Sequence, residues 1–392
     1  MLPLEGITVV SLEHAVAAPF ATRQLADLGA RVIKIERPGT GDFARGYDTR
    51  VKGLASHFVW INRSKESLTL NVKHPDGADI LHRLVAKADV LVQNLAPGAA
   101  DRMGLSFDDL HKANPELIVC NISGYGAEGP DKNRKAYDLL VQAEAGFLSV
   151  TGSPDAPAKA GNSVADIAAG MYAYTNILAA LLQRSKTGKG NNIDISMLEA
   201  LAEWMGYPMY YAYDGAPPPP RAGSAHATIF PYGPFVAGDG REVMLGLQNE
   251  REWLVFCEQV LKQPELVADQ RYESNHARAA NKEELTKIII AAFASLSAEE
   301  VIVRLDAAGI ANSRMNDMAG LWSHDQLKAR GRWREIATPS GPIPALLPPG
   351  GIGNMEPRMD AVPDLGEHSR LILAELGLNT DEIDDLAKAG VI

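Results

Sequence analysis

Cysteine is nearly absent: Cys120 and Cys257 are the only two in 392 residues. Two cysteines so far apart form no disulfide framework, and without a CxxC pair they make no zinc site, so no metal is expected. This usage fits a reducing cytoplasm. Cys120, in the apolar run ELIVCNIS, reads as a small buried residue. A basic surface is missing too. Lys and Arg number 38 against 49 Asp and Glu, a net charge of −11 with no acidic tail. That argues against a nucleic-acid partner, whose phosphates need a basic face. An anionic small ligand stays open, because a few local Arg and Lys can hold one. No segment approaches ~18 consecutive apolar residues, so no membrane span is expected. The start, MLPLEGITVV, lacks the basic and apolar stretches of a signal peptide. The first strand–helix turn is not GxGxxG, which disfavours a dehydrogenase.

What remains is an ordinary globular composition, 46% hydrophobic and 22% charged. The length suggests two lobes. Short apolar runs alternate with helical stretches: ITVVSL (Ile7–Leu12) reads as a strand, Phe20–Leu28 as a helix ended by Gly29, and RVIKIE (Arg31–Glu36) as a strand. RPGTGD (Arg37–Asp42) reads as a turn, Gly77–Ala88 as a helix, and Val90–Asn94 and Leu117–Ser123 as strands. Strands alternating with helices imply a parallel sheet with crossover helices. One strong helix spans Asp166–Arg184, IDISM is a strand, and a helix follows over Leu198–Tyr211. PPPP (Pro217–Pro220) is a stiff spacer near a lobe boundary. Beyond it PYGPFVAGDGREVMLGL reads as a hairpin around Asp239-Gly240, and a Pro- and Gly-rich tail ends in a helix over Ser369–Leu376.

The opening LEGITVVSLEHAVAAPFATRQLADLGARVIKIERPGTGD, then NRSKESLTLNVKHPDG, VQNLAPGAADRMGL, ISGYGAEGP, DLLVQAEAG, SVADIAAGMYAYTNILAAL, GKGNNIDISMLEA, AGIANSRMNDM, SHDQLKARGRW and LGEHSRLILAELGL follow one another in order. Together they resemble the blocks of the family III CoA-transferases across nearly the whole chain. The resemblance implies an α/β fold: a Rossmann-like large domain completed by the C-terminal segment, plus a smaller α+β domain, in an interlocked homodimer. The expected division is residues 1–200 for the first part of the large domain, 222–320 for the small domain and 325–392 for the returning segment.

The same resemblance implies the chemistry. Asp166 stands at the family's nucleophile position. By itself an Asp opening a helix reads as an N-cap, and helix N-terminal N–H groups would keep its carboxylate ionised for attack. Coenzyme A and acyl-CoA are substrates, with no tightly bound cofactor. Val16 and Ala17 occupy a loop that borders CoA in the family, with Val16 replacing the Gln of formyl-CoA transferases. Arg37, Leu70, Lys73, Asn94, Arg102 and Lys135 match positions lining the CoA phosphates, adenine or pantetheine, where Arg and Lys suit anionic phosphates. Each charge also reads as a solvated surface group. Tyr137 matches an aromatic near the reacting acyl group. His14, Arg45 and His226 are candidates for the acyl end of the substrate, and His368 reads as structural.

The four-glycine run of formyl-CoA transferases is missing, which disfavours formate and oxalate. The opening and GSAHATIFPYG are similar to members handling short dicarboxylates such as itaconate, mesaconate, citramalate or malate, with succinyl-CoA as donor. The alternatives are an α-methylacyl-CoA racemase-like isomerase and a non-catalytic CoA-binding protein. The racemase pairs a His with an Asp; its His position falls on Tyr137, and a tyrosine, ordinarily titrating near ~10, is a poor proton exchanger at neutrality. An intact Asp166 argues against a protein that only binds.

Overall fold

The computed structural model describes all 392 residues. They form two compact units, residues 1–146, 160–205 and 327–392 in the first and 147–159 and 206–326 in the second.

Six parallel strands organise the first unit: β1 (Thr8–Leu12), β2 (Arg31–Glu36), β3 (Lys65–Thr69), β4 (Val90–Gln93), β5 (Ile118–Ser123) and β6 (Asn192–Ser196). Their order is β3-β2-β1-β4-β5-β6, so the chain reverses direction across the sheet between β1 and β4. In such sheets the crevice beyond the carboxyl ends of the two central strands is where ligands settle. Helices α1 (Ala17–Asp27), α2 (Pro75–Ala86), α3 (Asp138–Glu144), α4 (Val164–Thr187) and α5 (Met197–Trp204) accompany the sheet. His74 accepts from the Asp76 N–H and Pro75 opens α2, where a missing N–H costs nothing. Gly188, at φ +67°, ends α4 in the left-handed region.

Alternation within RVIKIE sorts two kinds of core. Ile33 and Ile35 join Val10, Leu12, Leu68, Leu81 and Leu84 in an apolar cluster. Lys34 and Glu36 share the other face, which is equally buried and polar. There Lys65 Nζ donates to Glu13 Oε1 at 2.7 Å, Pro19 O at 3.0 Å and Asn62 Oδ1 at 3.0 Å, so all three ammonium protons are used. Lys34 Nζ reaches Asp42 Oδ2 at 2.8 Å and Glu13 Oε1 at 3.4 Å. Burial pushes the Glu13 carboxyl up, but Lys65 and Lys34 together outweigh it and hold it below the usual range. Burial brings the Lys65 ammonium down to about 7 against the pull of Glu13.

At 24 residues, α4 is long and apolar enough by length and composition to cross a membrane, although no such run is visible residue by residue. It instead lies along α1. A Cβ on Gly170 would approach Ala17 O to 2.6 Å, so only glycine permits this crossing.

In the second unit, α6 (Gly206–Tyr211) follows α5 after a break at Met205, where the sequence suggests one continuous helix. Pro208 lacks the N–H for the preceding turn, and its ring collides with the Trp204 carbonyl. The break, not the PPPP spacer, is where the units divide. Strands β7 (Tyr232–Val236) and β8 (Glu242–Gly246) make the hairpin around Asp239-Gly240, and Gly240 takes φ +79°. With β9 (Ala311–Arg314) they form an antiparallel sheet, order β9-β8-β7. Its core contains Trp253, Phe256, Tyr272 and Phe293, with α7 (Lys282–Phe293) and α8 (Ala298–Ala307) contributing Leu285, Ile289, Val301 and Leu305. Residues 147–159 belong here rather than with the large domain. Arg221 donates to the carbonyls of Ser153 and Pro154, and Gly223 N–H to Gly152 O.

The chain then returns to the first unit through a hairpin of β10 (Trp333–Ile336) and β11 (Ile343–Leu346). Helices α9 (Ser369–Glu375) and α10 (Thr380–Lys388) place Ile372, Leu373 and Ile383 in the cluster beneath the sheet. His368 N–H donates to Ser67 O and its Nδ1 accepts from Ser67 N–H, so this histidine is structural.

Candidate active site

The crevice between β1 and β4 is closed by two short loops. Asn94 Oδ1 accepts the His14 N–H at 2.9 Å, and Asn94 Nδ2 donates to His14 O at 2.9 Å. Asn94 therefore clamps the loop after β1, and one amide proton of its Nδ2 remains free of this pairing. Ala15, at φ +59°, turns the chain, and its N–H donates to Asp42 Oδ1 at 3.2 Å. Asp42 also accepts from Ala44 N–H and Lys34. Val16 and Ala17 then open α1, both buried. Their side chains are packing groups, and any contact with a ligand falls to the turn that they shape.

Asp166 is not an N-cap. Ser163 precedes α4 and Asp166 is its third residue. It lies one turn before Gly170, on the same face, and Gly170 is the residue pressed against Ala17 O. The close crossing of α1 and α4 thus lies one helical turn from Asp166. The N–H groups expected to stabilise Asp166 are occupied: Asp138 Oδ1 accepts from Ala165 N–H at 2.8 Å and from Asp166 N–H at 3.3 Å. Half-buried and lacking a donor, the Asp166 carboxyl is pushed up to about 7, first by burial and then by the Asp138 charge. The helix N–H groups therefore do not hold this carboxylate in the way the sequence suggests, because Asp138 has them.

An aromatic wall stands nearby. His14 stacks on Phe43 at 5.1 Å, Phe43 meets Tyr47 at 5.9 Å, and Tyr47 meets His57 edge-on at 5.4 Å. Burial raises the Tyr47 hydroxyl, with the charges of Asp42, Asp166 and Tyr137 adding to it, so these acids share one neighbourhood. Tyr47 is not among the residues the sequence singles out; it lies five positions after the RPGTGD turn, behind Phe43. Asp138 was missed too, hidden inside an ordinary helix start. Tyr137, 69% exposed, immediately precedes α3. His14 Nδ1 is buried without a hydrogen bond, 3.8 Å from Asp42 Oδ1.

The remaining candidates divide. Arg37, Lys73, Arg102 and Lys135 are exposed on loops and element ends of the first unit. The Arg102 guanidinium lies over Gly98, where a Cβ would come within 3.0 Å. Leu70 does not fit a ligand-lining role. Its side chain is in the apolar cluster, its N–H donates to Glu36 O and its carbonyl accepts from Val72. Arg45 is also committed elsewhere. Its Nε and Nη2 bind Glu36 at 2.7 Å each, and its guanidinium covers the Phe58 ring at 3.7 Å. It is therefore withdrawn as an acyl-carboxylate ligand. His226, in the second unit, stacks on Tyr232 and its Nδ1 accepts from the N–H groups of Thr228 and Ile229, which leaves the ring proton on Nε2 as an exposed donor.

A six-stranded parallel sheet of this order, flanked by helices and carrying a half-buried, unpartnered carboxyl on α4, defines an α/β fold with a candidate site in its first unit. The model of CoA-transferase family III matches residues 4–369. The chain is 37% identical over 400 residues to a succinyl-CoA:glutarate CoA-transferase of Mus musculus, covering 100% of this chain and 91% of that protein. It is 36% identical over 330 residues to an acetyl-CoA:oxalate CoA-transferase of Acetobacter aceti, covering 84% of each. The crystal structure of a CaiB/BaiF family protein from Brucella suis superposes with a TM-score of 0.84 at 33% identity, over 96% of this chain and 99% of that one. The protein belongs to CoA-transferase family III and is a CoA-transferase.

Proposed function

We propose that this enzyme moves CoA from succinyl-CoA to a short dicarboxylic acid through a covalent thioester on Asp166, in the cytoplasm and as an interlocked homodimer. The observation that supports the reading is Asp166 itself: a half-buried carboxyl with no hydrogen bond to its oxygens, one helical turn before the contact of Gly170 with Ala17 O. A carboxylate oxygen attacks the thioester carbonyl carbon; the C–S bond breaks and CoA leaves as thiolate, giving a mixed anhydride. The thiolate attacks the Asp166 carbonyl and expels the first acid as carboxylate. The acceptor carboxylate then attacks the aspartyl thioester, and the two steps run in reverse. Each addition builds an oxyanion. Arg37, Arg102, Lys73 and Lys135 are the cations available for CoA phosphates. The named glutarate and oxalate enzymes both act on dicarboxylates, and with itaconate and mesaconate they define the acceptors to compare.

Incubation with succinyl-CoA followed by hydroxylamine is expected to convert Asp166 alone, as read by peptide mass mapping. Transfer rates to glutarate, itaconate, mesaconate, oxalate and butyrate then rank the acceptors. A label on another residue overturns the nucleophile, and butyrate equal to the dicarboxylates overturns the substrate class.

A further inference from the structure

Gln142 is fully buried and turned wholly to one task. Its Nε2 donates to Asp138 Oδ2 at 2.7 Å, and its Oε1 accepts from Ala160 N–H at 2.9 Å. Asp138 Oδ1 accepts the two N–H groups at the start of α4. Asp138 thus receives three hydrogen bonds and gives none, the pattern of an ionised carboxylate. Gln142 ties the loop before α4 to the same group. The result is a second, fixed carboxylate against the first turn that carries Asp166.

This arrangement reverses the ordinary use of a helix start. Free N–H groups there attract negative charge; here Asp138 has taken them, and Asp166 gains a like charge in place of donors. The Tyr47 hydroxyl feels the charge of Asp166, together with those of Asp42 and Tyr137. Arg45, the cation nearest in sequence to Tyr47, is bound to Glu36. Burial is the larger cause of the upward shift of Asp166 to about 7, and Asp138 is the only charge contributing to it.

We infer that Asp138, held by Gln142, is a positioning residue that fixes the nucleophile's turn and drives acylation by charge repulsion. The inference rests on Asp166 being the nucleophile. When Asp166 is ionised, the form that attacks, the pair carries two negative charges. When the Asp166 oxygen forms its bond to the acyl carbon, the electron pair of the C–S bond departs with the thiolate and Asp166 becomes neutral. The repulsion present before the step is absent after it, so Asp138 raises the basicity of the attacking oxygen and favours the covalent state. Interactions that change between the two states are the ones that alter rate and intermediate level.

The test compares Asp138→Asn with wild type. Asparagine keeps an oxygen for the two N–H groups and removes the charge. The ascending limb of kcat/KM against pH is expected near 7 in wild type and at least one unit lower in Asp138→Asn. Acyl-enzyme formed from succinyl-CoA at pH 8, read by intact mass spectrometry, is expected to fall at least fivefold, while the Kd for CoA stays within twofold. An unmoved limb in the folded variant overturns the inference. Should Asp138→Asn fail to fold, carbon-13 titration of the aspartate carboxyls in wild type replaces it. A resonance titrating near 7 in wild type and missing from Asp166→Asn supports the inference; an ordinary carboxyl at Asp166 overturns it. Full transfer by Asp166→Ala would defeat the covalent reading itself, whereas an inactive Asp166→Ala beside an unmoved Asp138→Asn limb defeats only the repulsion.

Discussion

Asn94 and His14 exchange two hydrogen bonds of 2.9 Å across the point where the sheet reverses its order, one into the His14 carbonyl and one from its N–H. A single side chain on the loop after β4 thereby sets the main chain that leads to Val16 and Ala17. Asn94→Ala leaves both His14 main-chain groups unpaired in a part-buried site. The expected cost is about 2 kcal/mol in urea unfolding, together with a fall in kcat/KM of roughly tenfold as the turn loosens. Asn94→Asp keeps the acceptor and loses the donor, and should land between the two.

Asp166 should oppose folding at neutral pH. Its carboxyl titrates at about 7 in the folded chain, against the 3.8 expected of an unperturbed group. The folded state binds the proton more tightly, so the group's favourable share is present in full below about pH 4 and is lost as pH rises through 7. Asp166→Asn should therefore be inactive but more stable than wild type by ~2 kcal/mol at pH 8, the full shift being discounted for partial exposure. The gain should shrink to nearly nothing by pH 4. Paired urea titrations across that range measure it, and a gain that grows toward low pH would reverse the assignment.

The buried ion network below the loops predicts asymmetric mutational costs. Lys65 is the close partner of Glu13, at 2.7 Å, in a site where both side chains are fully buried. Lys65→Met removes the closer of the two ammonium partners of the buried Glu13 carboxylate, leaving Lys34 at 3.4 Å, and should cost ~3 kcal/mol. Adding Glu13→Gln to the same chain should recover part of that loss, since a neutral amide tolerates burial better than a carboxylate that has lost its closer partner. A double change as damaging as the sum of the two single ones would show that the pair is not coupled.

For the CoA phosphates, Arg37 and Arg102 are the guanidinium groups free of acidic partners near the carboxyl ends of β2 and β4. Arg102→Ala is expected to raise the KM for succinyl-CoA about tenfold with kcat changed less than threefold, because the contact is equal in ground and transition states. The KM of wild type should rise with salt more steeply than that of the variant. Arg45→Ala should instead lower stability, since its partner Glu36 is buried, and leave the ranking of acceptor acids unaltered.

Local pattern carried much of the architecture. RVIKIE is a strand from Arg31 to Glu36 with the bounds that its alternation suggests, and the long apolar stretch around Asp166 is one helix. These elements are short-range consequences of side-chain period and of Gly and Pro placement. The family blocks likewise pointed to the CoA-transferase fold and to Asp166. What the sequence could not determine is how each polar group is used. Arg45 and Leu70 look as available as Arg102 when read along the chain, yet one is locked to Glu36 and the other is in the core. Nothing in the sequence marks Lys34 and Glu13 as wholly buried. Asp166 looked like a carboxylate stabilised by its helix; only tertiary packing showed that Asp138, 28 residues earlier, had taken those N–H groups. Hydrogen bonds and charge pairs act over a few ångströms in space, whatever the distance in sequence, so period fixes an element and its buried face while the fold alone chooses each group's partner.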